Sequence, residues 1–295
     1  MTHQILDSMA LGAGKLTRLR RMLFNHGPEN GKLLILPYDQ GLEHGPRDFF
    51  DNYESLDPNY ILDLAVEGKF SAVVLHQGVA EKYYHRYAGK IPLVLKLNGK
   101  TDVPSEAQAL SPIVSSVEEA VALGADGVGY TVYVGSPMQT ADLNALMKVR
   151  QDAARLGMPL FIWAYPRGEA IDKMGGRECF YSVDYAARCA LELGADVAII
   201  NYPTNSPEDR YHSKKPYQSM EWDPAKCLVH AIKAAGNTLV VVTGGGRMDD
   251  PVLLAKAEHS LDAGASGLII GRNVWQRSKV NALEIINKIH VLLKK

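Results

Sequence analysis

Leu193-Gly-Ala-Asp-Val-Ala-Ile-Ile-Asn-Tyr202 joins the end of one regular element to the start of another. Before it, residues 182–193 carry apolar side chains at helical spacing, and Gly194 suits the left-handed backbone just past a helix end. After it, residues 197–202 form a short, mostly apolar run closed by polar groups, the pattern of a parallel strand buried on both faces. The same join recurs at Leu123-Gly-Ala-Asp126 and Ala263-Gly-Ala-Ser266. Gly124, Gly194 and Gly264 are each 70 residues apart, which corresponds to two strand–helix units of about 35 residues.

Similar runs lie at 32–39, 72–77, 92–98, 127–133, 159–165, 238–243 and 267–271, making eight with 197–202. Amphipathic helical patterns separate most of them, at 117–123, 141–156, 182–193, 224–235 and 251–263. Such alternation implies right-handed crossovers and a parallel sheet. Eight units in about 250 residues is the size of a (β/α)8 TIM barrel. An open doubly wound sheet competes, but no GxGxxG follows the first run. The chain is therefore read as α/β, a single-domain (β/α)8 barrel over 31–295 with an N-terminal helical lead-in over 1–30. The lead-in is broken around Gly12-Ala-Gly14 and is expected to cover the bottom of the barrel.

Composition narrows function. Lysine plus arginine (32) nearly balance aspartate plus glutamate (33), so no global field draws nucleic acid or an anionic membrane. The three cysteines lack metal-ligand or disulfide-framework spacing, and no signal peptide or run of 18 apolar residues occurs. A cytoplasmic protein with no nucleic-acid or membrane partner is expected.

In this fold chemistry sits at the C-terminal ends of the strands. Strand seven ends Thr243-Gly-Gly-Gly-Arg247 and strand eight ends Gly271-Arg-Asn273, where glycine N–H groups and a bidentate arginine can cup a phosphate. A flexible turn is the plainer alternative for the glycines. Asp39 can relay a proton or cap the next turn. Tyr165 can act as acid or base, or be a rim aromatic satisfied by backbone. Lys96 is the one lysine inside a strand run, and its charge needs a carboxylate partner, a substrate or the wet end of the barrel. Glu43, His44, His76, Asn98, Tyr130, Tyr133, Trp163, Arg167 and Asn201 complete the expected polar rim. No third strand-end histidine or HExxH accompanies His44 and His76, so neither metal nor other cofactor is expected. The long stretch 203–224 between strand six and its helix is the remaining candidate site loop.

Leu36-Pro-Tyr-Asp-Gln-Gly-Leu-Glu-His-Gly-Pro46, Lys96-Leu-Asn-Gly-Lys100, Val128-Gly-Tyr-Thr-Val-Tyr133, Trp163-Ala-Tyr-Pro-Arg-Gly168 and Gly271-Arg-Asn-Val-Trp-Gln276 resemble the archaeal-type class I fructose-1,6-bisphosphate aldolases. The resemblance runs from about residue 32 to 276. It implies metal-free aldol cleavage of a sugar phosphate through an imine on a strand-six lysine, and a homo-oligomer built through outer helices. It carries Asp39, Tyr165 and Trp163 over as first-strand aspartate, proton carrier and site-lining ring, and Gly244, Gly245, Gly271 and Arg272 as the phosphate cup.

Two positions depart from the family pattern. Ile199 stands where the family has its imine-forming lysine, and Gln40 stands where histidine commonly follows the aspartate. Isoleucine forms no imine. Three readings follow: an amine supplied by Lys96, Lys214 or Lys215; a member that binds or only enolises or isomerises a sugar phosphate using Tyr165 and Asp39; or an aldolase altered at Ile199. Alternation along strand six turns Val197, Ile199 and Asn201 inward, so Asn201 is what that strand offers a ligand.

Overall fold

The computed structural model describes residues 6–295; the first five residues of the expected lead-in lie outside the described residues. Eight parallel strands close into a barrel in chain order: β1 (Leu33–Pro37), β2 (Ala72–His76), β3 (Leu93–Lys96), β4 (Gly127–Val134), β5 (Leu160–Pro166), β6 (Val197–Ile200), β7 (Leu239–Thr243) and β8 (Gly267–Ile269). Closure is made by β1 on β8, with Leu34 opposite Leu268. Every expected run coincides with a strand; six contain theirs whole, while β4 and β5 each extend one residue past the run, to Val134 and Pro166.

Helix α1 (Ala13–Arg20) precedes the barrel. The crossovers are α2 (Pro58–Glu67), α3 (Gln77–Tyr83), α4 (Val117–Ala122), α5 (Gln139–Arg155), α6 (Phe180–Glu192), α7 (Pro224–Ala234) and α8 (Asp250–Asp262); α9 (Lys279–Leu293) closes the ring. Local sequence sets their starts. Asp223 accepts from the Lys226 N–H with Pro224 in the first turn, and Ser116 with Glu119 forms a reciprocal capping box. The repeated glycines set three ends, with φ of 71°, 86° and 100° at Gly124, Gly194 and Gly264, a region most side chains avoid.

Strand alternation sorts the apolar residues into two layers. Ala198 and Ile200 face the helices, whereas Val197 and Ile199 join Leu33, Ile35, Val74, Phe161, Leu239 and Val241 in the barrel interior. The floor of that interior is sealed by Leu19, Met22 and Leu23 from the N-terminal segment. The repeated acidic residues secure it: Lys15 pairs with Asp196 at 2.6 Å and Arg21 with Asp126 at 3.3 Å. Gly14 packs so closely on Gly157 that a Cβ would come within 2.9 Å of its Cα. Among the described residues no helix is long and apolar enough to cross a membrane.

The 203–224 stretch contains the one-turn elements Pro207–His212 and Tyr217–Ser219. It is fastened to α6 by the Tyr217 hydroxyl donating to Asp184 at 2.5 Å and by the rings of Trp222 and Phe180, 5.6 Å apart. Lys214 and Lys215 are consequently exposed on the outer surface.

Candidate active site

The polar strand ends surround a cavity of about 300 Å3 at the C-terminal face of the barrel. Asp39, Lys96, Trp163, Tyr165, Asn201, Thr243, Gly245, Gly271 and Arg272 all line it. Lys214 and Lys215 do not, because the loop carrying them is held against α6. Lys96 is thus the one lysine among the lining residues.

Lys96 is the last residue of β3 and turns inward, its side chain only 3% exposed. Gly129 on β4 makes room for it, since a Cβ there would meet Trp163 at 2.7 Å and the Lys96 Cδ at 3.1 Å. The amine donates to Asp39 Oδ2 at 2.9 Å and lies 4.5 Å from the Trp163 ring centroid. The carboxylate and the ring's negative face both attract the side-chain charge of Lys96. For Asp39, burial alone would push the carboxyl up, but Lys96 and then His76 outweigh it and hold the group below its usual range. The pair is a buried charge couple whose members compensate one another.

Ile199 lies in the same layer as Trp163, its partner across β5 and β6, and is fully buried. Its side chain packs into the interior below the cavity and does not line it. One step further along the chain of inward positions, Asn201 reaches the cavity.

Tyr165 is the penultimate residue of β5 and lines the cavity. Burial, followed by the charges of Glu43 and Asp39, raises its pKa well beyond the usual tyrosine value. At neutral pH it is therefore a neutral phenol able to donate a proton. Glu43 sits alongside, accepting from the Tyr133 hydroxyl at 3.2 Å.

The glycine turn after β7 and the Gly271-Arg272 segment after β8 meet beside β1. Asn273 donates to the carbonyls of Gly244 and Gly246, at 3.1 and 2.9 Å, and so shapes the glycine turn. Gly245 takes φ +70° there. Gly246 lines the cavity and Gly244 does not: the Gly244 Cα faces Ile270 and Asn273 instead, so the lining glycine pair lies one residue further along the turn than expected. Arg272 is steadied by Asp48 at 3.7 Å, and Asp48 itself pairs with His44 at 2.6 Å.

Several rim expectations resolve into structural roles. Tyr130 points outward and hydrogen-bonds Asp142 at 2.7 Å, while Asn98 is buried holding the Thr131 backbone. His76 lines a neighbouring groove, whereas His44 pairs with Asp48 and also lines the cavity. Among the described residues no group of three or more His, Cys, Asp or Glu side chains converges in a way that could hold a metal. Conversely, Gln40, Arg47, Arg177 and Glu178 line the cavity without having been singled out as rim candidates. Gln40 falls within the first-strand motif already quoted and Arg47 directly follows it; Arg177 and Glu178 arrive from the β5–α6 loop, whose path no strand-end pattern signals.

A family model described as DeoC/LacD family aldolase matches residues 33–277. Among curated relatives, the class 1 fructose-bisphosphate aldolase of Thermoproteus tenax is 44% identical over 248 residues, covering 84% of each chain. That of Halobacterium salinarum is 36% identical over 248 residues, covering 84% of this chain and 86% of the relative. Among solved structures, an archaeal fructose-1,6-bisphosphate aldolase with its catalytic lysine covalently bound to the carbinolamine intermediate superposes with a TM-score of 0.80. It is 39% identical and is matched over 94% of this chain and 100% of that one.

Proposed function

Because the chain belongs to the DeoC/LacD family of aldolases, we propose that it catalyses reversible aldol cleavage of a phosphorylated ketose, giving dihydroxyacetone phosphate and an aldehyde, with Lys96 as the imine-forming amine. The observation that carries the assignment is that Lys96 is the one lysine lining the cavity, hydrogen-bonded to a carboxylate that can take its proton. The names of the relatives support fructose 1,6-bisphosphate as substrate.

Arg272, with the backbone of Gly245, Gly246 and Gly271, holds a substrate phosphate. Lys96 passes a proton to Asp39 and attacks the ketone carbon, which must lie within about 3–3.5 Å. Loss of water leaves a protonated imine, with Asp39 as counter-ion and Trp163 stacked alongside. In cleavage, the hydroxyl on the far carbon of the breaking bond gives its proton to the Asp39 carboxylate as that carbon becomes the aldehyde. The electrons of that bond flow into the imine to give an enamine. Tyr165, a neutral phenol, then protonates the enamine carbon, and water releases the amine.

Borohydride reduction in the presence of dihydroxyacetone phosphate, followed by peptide mass analysis, tests the assignment. The expected adduct is on Lys96. Ligand binding without any adduct would exclude an imine, and would favour a second reading that the buried Ile199 supports: a protein that binds or enolises a sugar phosphate through Tyr165 and Asp39.

A further inference from the structure

The end of α2 departs from the rule that the other crossovers follow. Past three helices the left-handed residue is Gly124, Gly194 or Gly264, whose N–H reaches back three residues while the next N–H reaches back five. The end of α2 is built the same way, with the Lys69 N–H bonded to Val66 O at 3.1 Å and the Phe70 N–H to Ala65 O at 3.0 Å. Yet the left-handed residue here is a lysine, Lys69, at φ +50°. A side chain in that conformation is strained, because its Cβ crowds the following carbonyl oxygen. Among the described residues the other non-glycines in this region are Ala10 and Glu29, and Glu29 lines the same cleft as Lys69. Backbone strain of this kind gathers at ligand sites.

The cleft has a volume of about 410 Å3 and lies at the N-terminal ends of β2 and β3, on the barrel face opposite the catalytic cavity. Its walls are pinned to one another: His290 of α9 donates from Nε2 to Gly68 O at 2.9 Å, and Asn30 donates to Leu293 O at 2.8 Å. Lys69, Lys90 and Lys294 stand around it, exposed and without an ion pair among the described residues. Of the two carboxylates on the wall, Glu67 is taken by Lys279 at 2.6 Å, which leaves three lysines against Glu29. The charges converge on His290: burial first, then Lys294 and Lys69, hold its imidazole below the ordinary 6.5 against the opposing hydrogen bond to Gly68. A helix C-terminus also attracts cations, but a lysine anywhere in the last turn serves that purpose without left-handed strain. We propose that this cleft is a second binding site, separate from the catalytic cavity, for a small polyanion bearing phosphate or carboxylate groups, with Lys69, Lys90 and Lys294 supplying its positive charge.

The test is calorimetric titration with inorganic pyrophosphate and, separately, with propane-1,2,3-tricarboxylate, in about 0.15 M salt so that diffuse attraction is screened. It is run in the Arg272→Gln background, where the catalytic cup is disabled. Saturable binding of one equivalent, with a Kd below about 1 mM, is expected for at least one probe, and the stronger of the two tells phosphate from carboxylate recognition. Combining Lys69→Gly with Lys294→Gln weakens that binding roughly 10-fold, the joint worth of two exposed ion pairs, whereas Lys69→Arg retains it. Lys69→Gly restores the residue used at the other helix ends, and urea denaturation confirms that the variants are folded. If the cup still takes a probe in Arg272→Gln, a second equivalent appears that the lysine substitutions leave unchanged, so an error about the cup is told apart from one about the cleft. Absence of saturable binding, or binding as tight after the two lysines are removed, overturns the proposal.

Discussion

Lys96→Met is the most informative perturbation, because it removes one member of the buried pair while keeping the shape of the side-chain stem. The Lys96 and Asp39 side chains are 3% and 9% exposed, and their charged atoms are 2.9 Å apart. Without the ammonium the carboxylate is left uncompensated, which costs about 3–5 kcal/mol when the group stays ionised. The Trp163 contact adds about 0.5–2 kcal/mol, the range for cation–π pairs from exposed to desolvated. Replacing both charges by neutral groups, as in Lys96→Met with Asp39→Asn, is expected to recover most of the loss, because the desolvation of both ions disappears together.

The pH dependence carries a second signature. In the unmodified protein the Asp39 carboxyl lies below its ordinary 3.8. Its stabilising contribution is thus present above that value and lost as the pH falls through the lower folded value. In Lys96→Met, burial dominates and raises the folded pKa, so protonation now favours the folded state. The penalty shrinks as the pH falls from 7 toward 4. Urea denaturation of the four proteins of the cycle, at pH 7 and pH 5, measures both effects. A single variant as stable as the unmodified protein, or a double variant no better than Lys96→Met, would refute a buried compensated pair.

Three further outcomes follow from the site. Tyr165→Phe lowers turnover by about 10²- to 10⁴-fold while leaving borohydride trapping on Lys96 intact; equal loss of both would remove the proton-transfer role. Arg272→Gln raises the KM for the phosphorylated ketose by roughly 10- to 100-fold, the value of a charged hydrogen bond, and a KM unchanged in steady-state assays would exclude Arg272 from the cup. His76 is held below its ordinary 6.5, by burial first and then by Lys96, with Asp39 opposing. As the pH drops through 6.5 the unfolded chain binds a proton that the folded chain does not, so stability falls. His76→Gln should flatten that slope in denaturation curves between pH 7 and 5.

The local code of this fold is written mostly in short-range pattern. Gly194 ends a helix because its φ of 86° suits glycine, and β6 starts three residues later because an apolar run with no charge follows. Such signals repeat with a fixed spacing, and closure into eight strands is their consequence. Asp39, Lys96, Trp163, Tyr165 and Arg272 were legible because each falls at or past the midpoint of a strand or within three residues of its end. Tyr130 was placed on the rim by the same logic, but it sits on the outward phase of β4, where Asp142 of α5 takes its hydroxyl. The choice of Gly246 over Gly244 depends on how Asn273, distant in sequence, gathers two carbonyls of one turn.

By itself the sequence determined the strand–helix alternation, the barrel, the position of β6 and the identity of Ile199, because backbone conformation and two-residue alternation depend on neighbouring residues. It also showed that no lysine lies on that strand. Only the tertiary structure decided which lysine reaches the cavity: Lys96 enters it with Asp39 beneath a tryptophan ring, while Lys214 and Lys215 are turned to solvent by a loop pinned to α6. Residues 57 positions apart form that ion pair, and a contact between distant segments is set by closure of the barrel and by the space Gly129 leaves open.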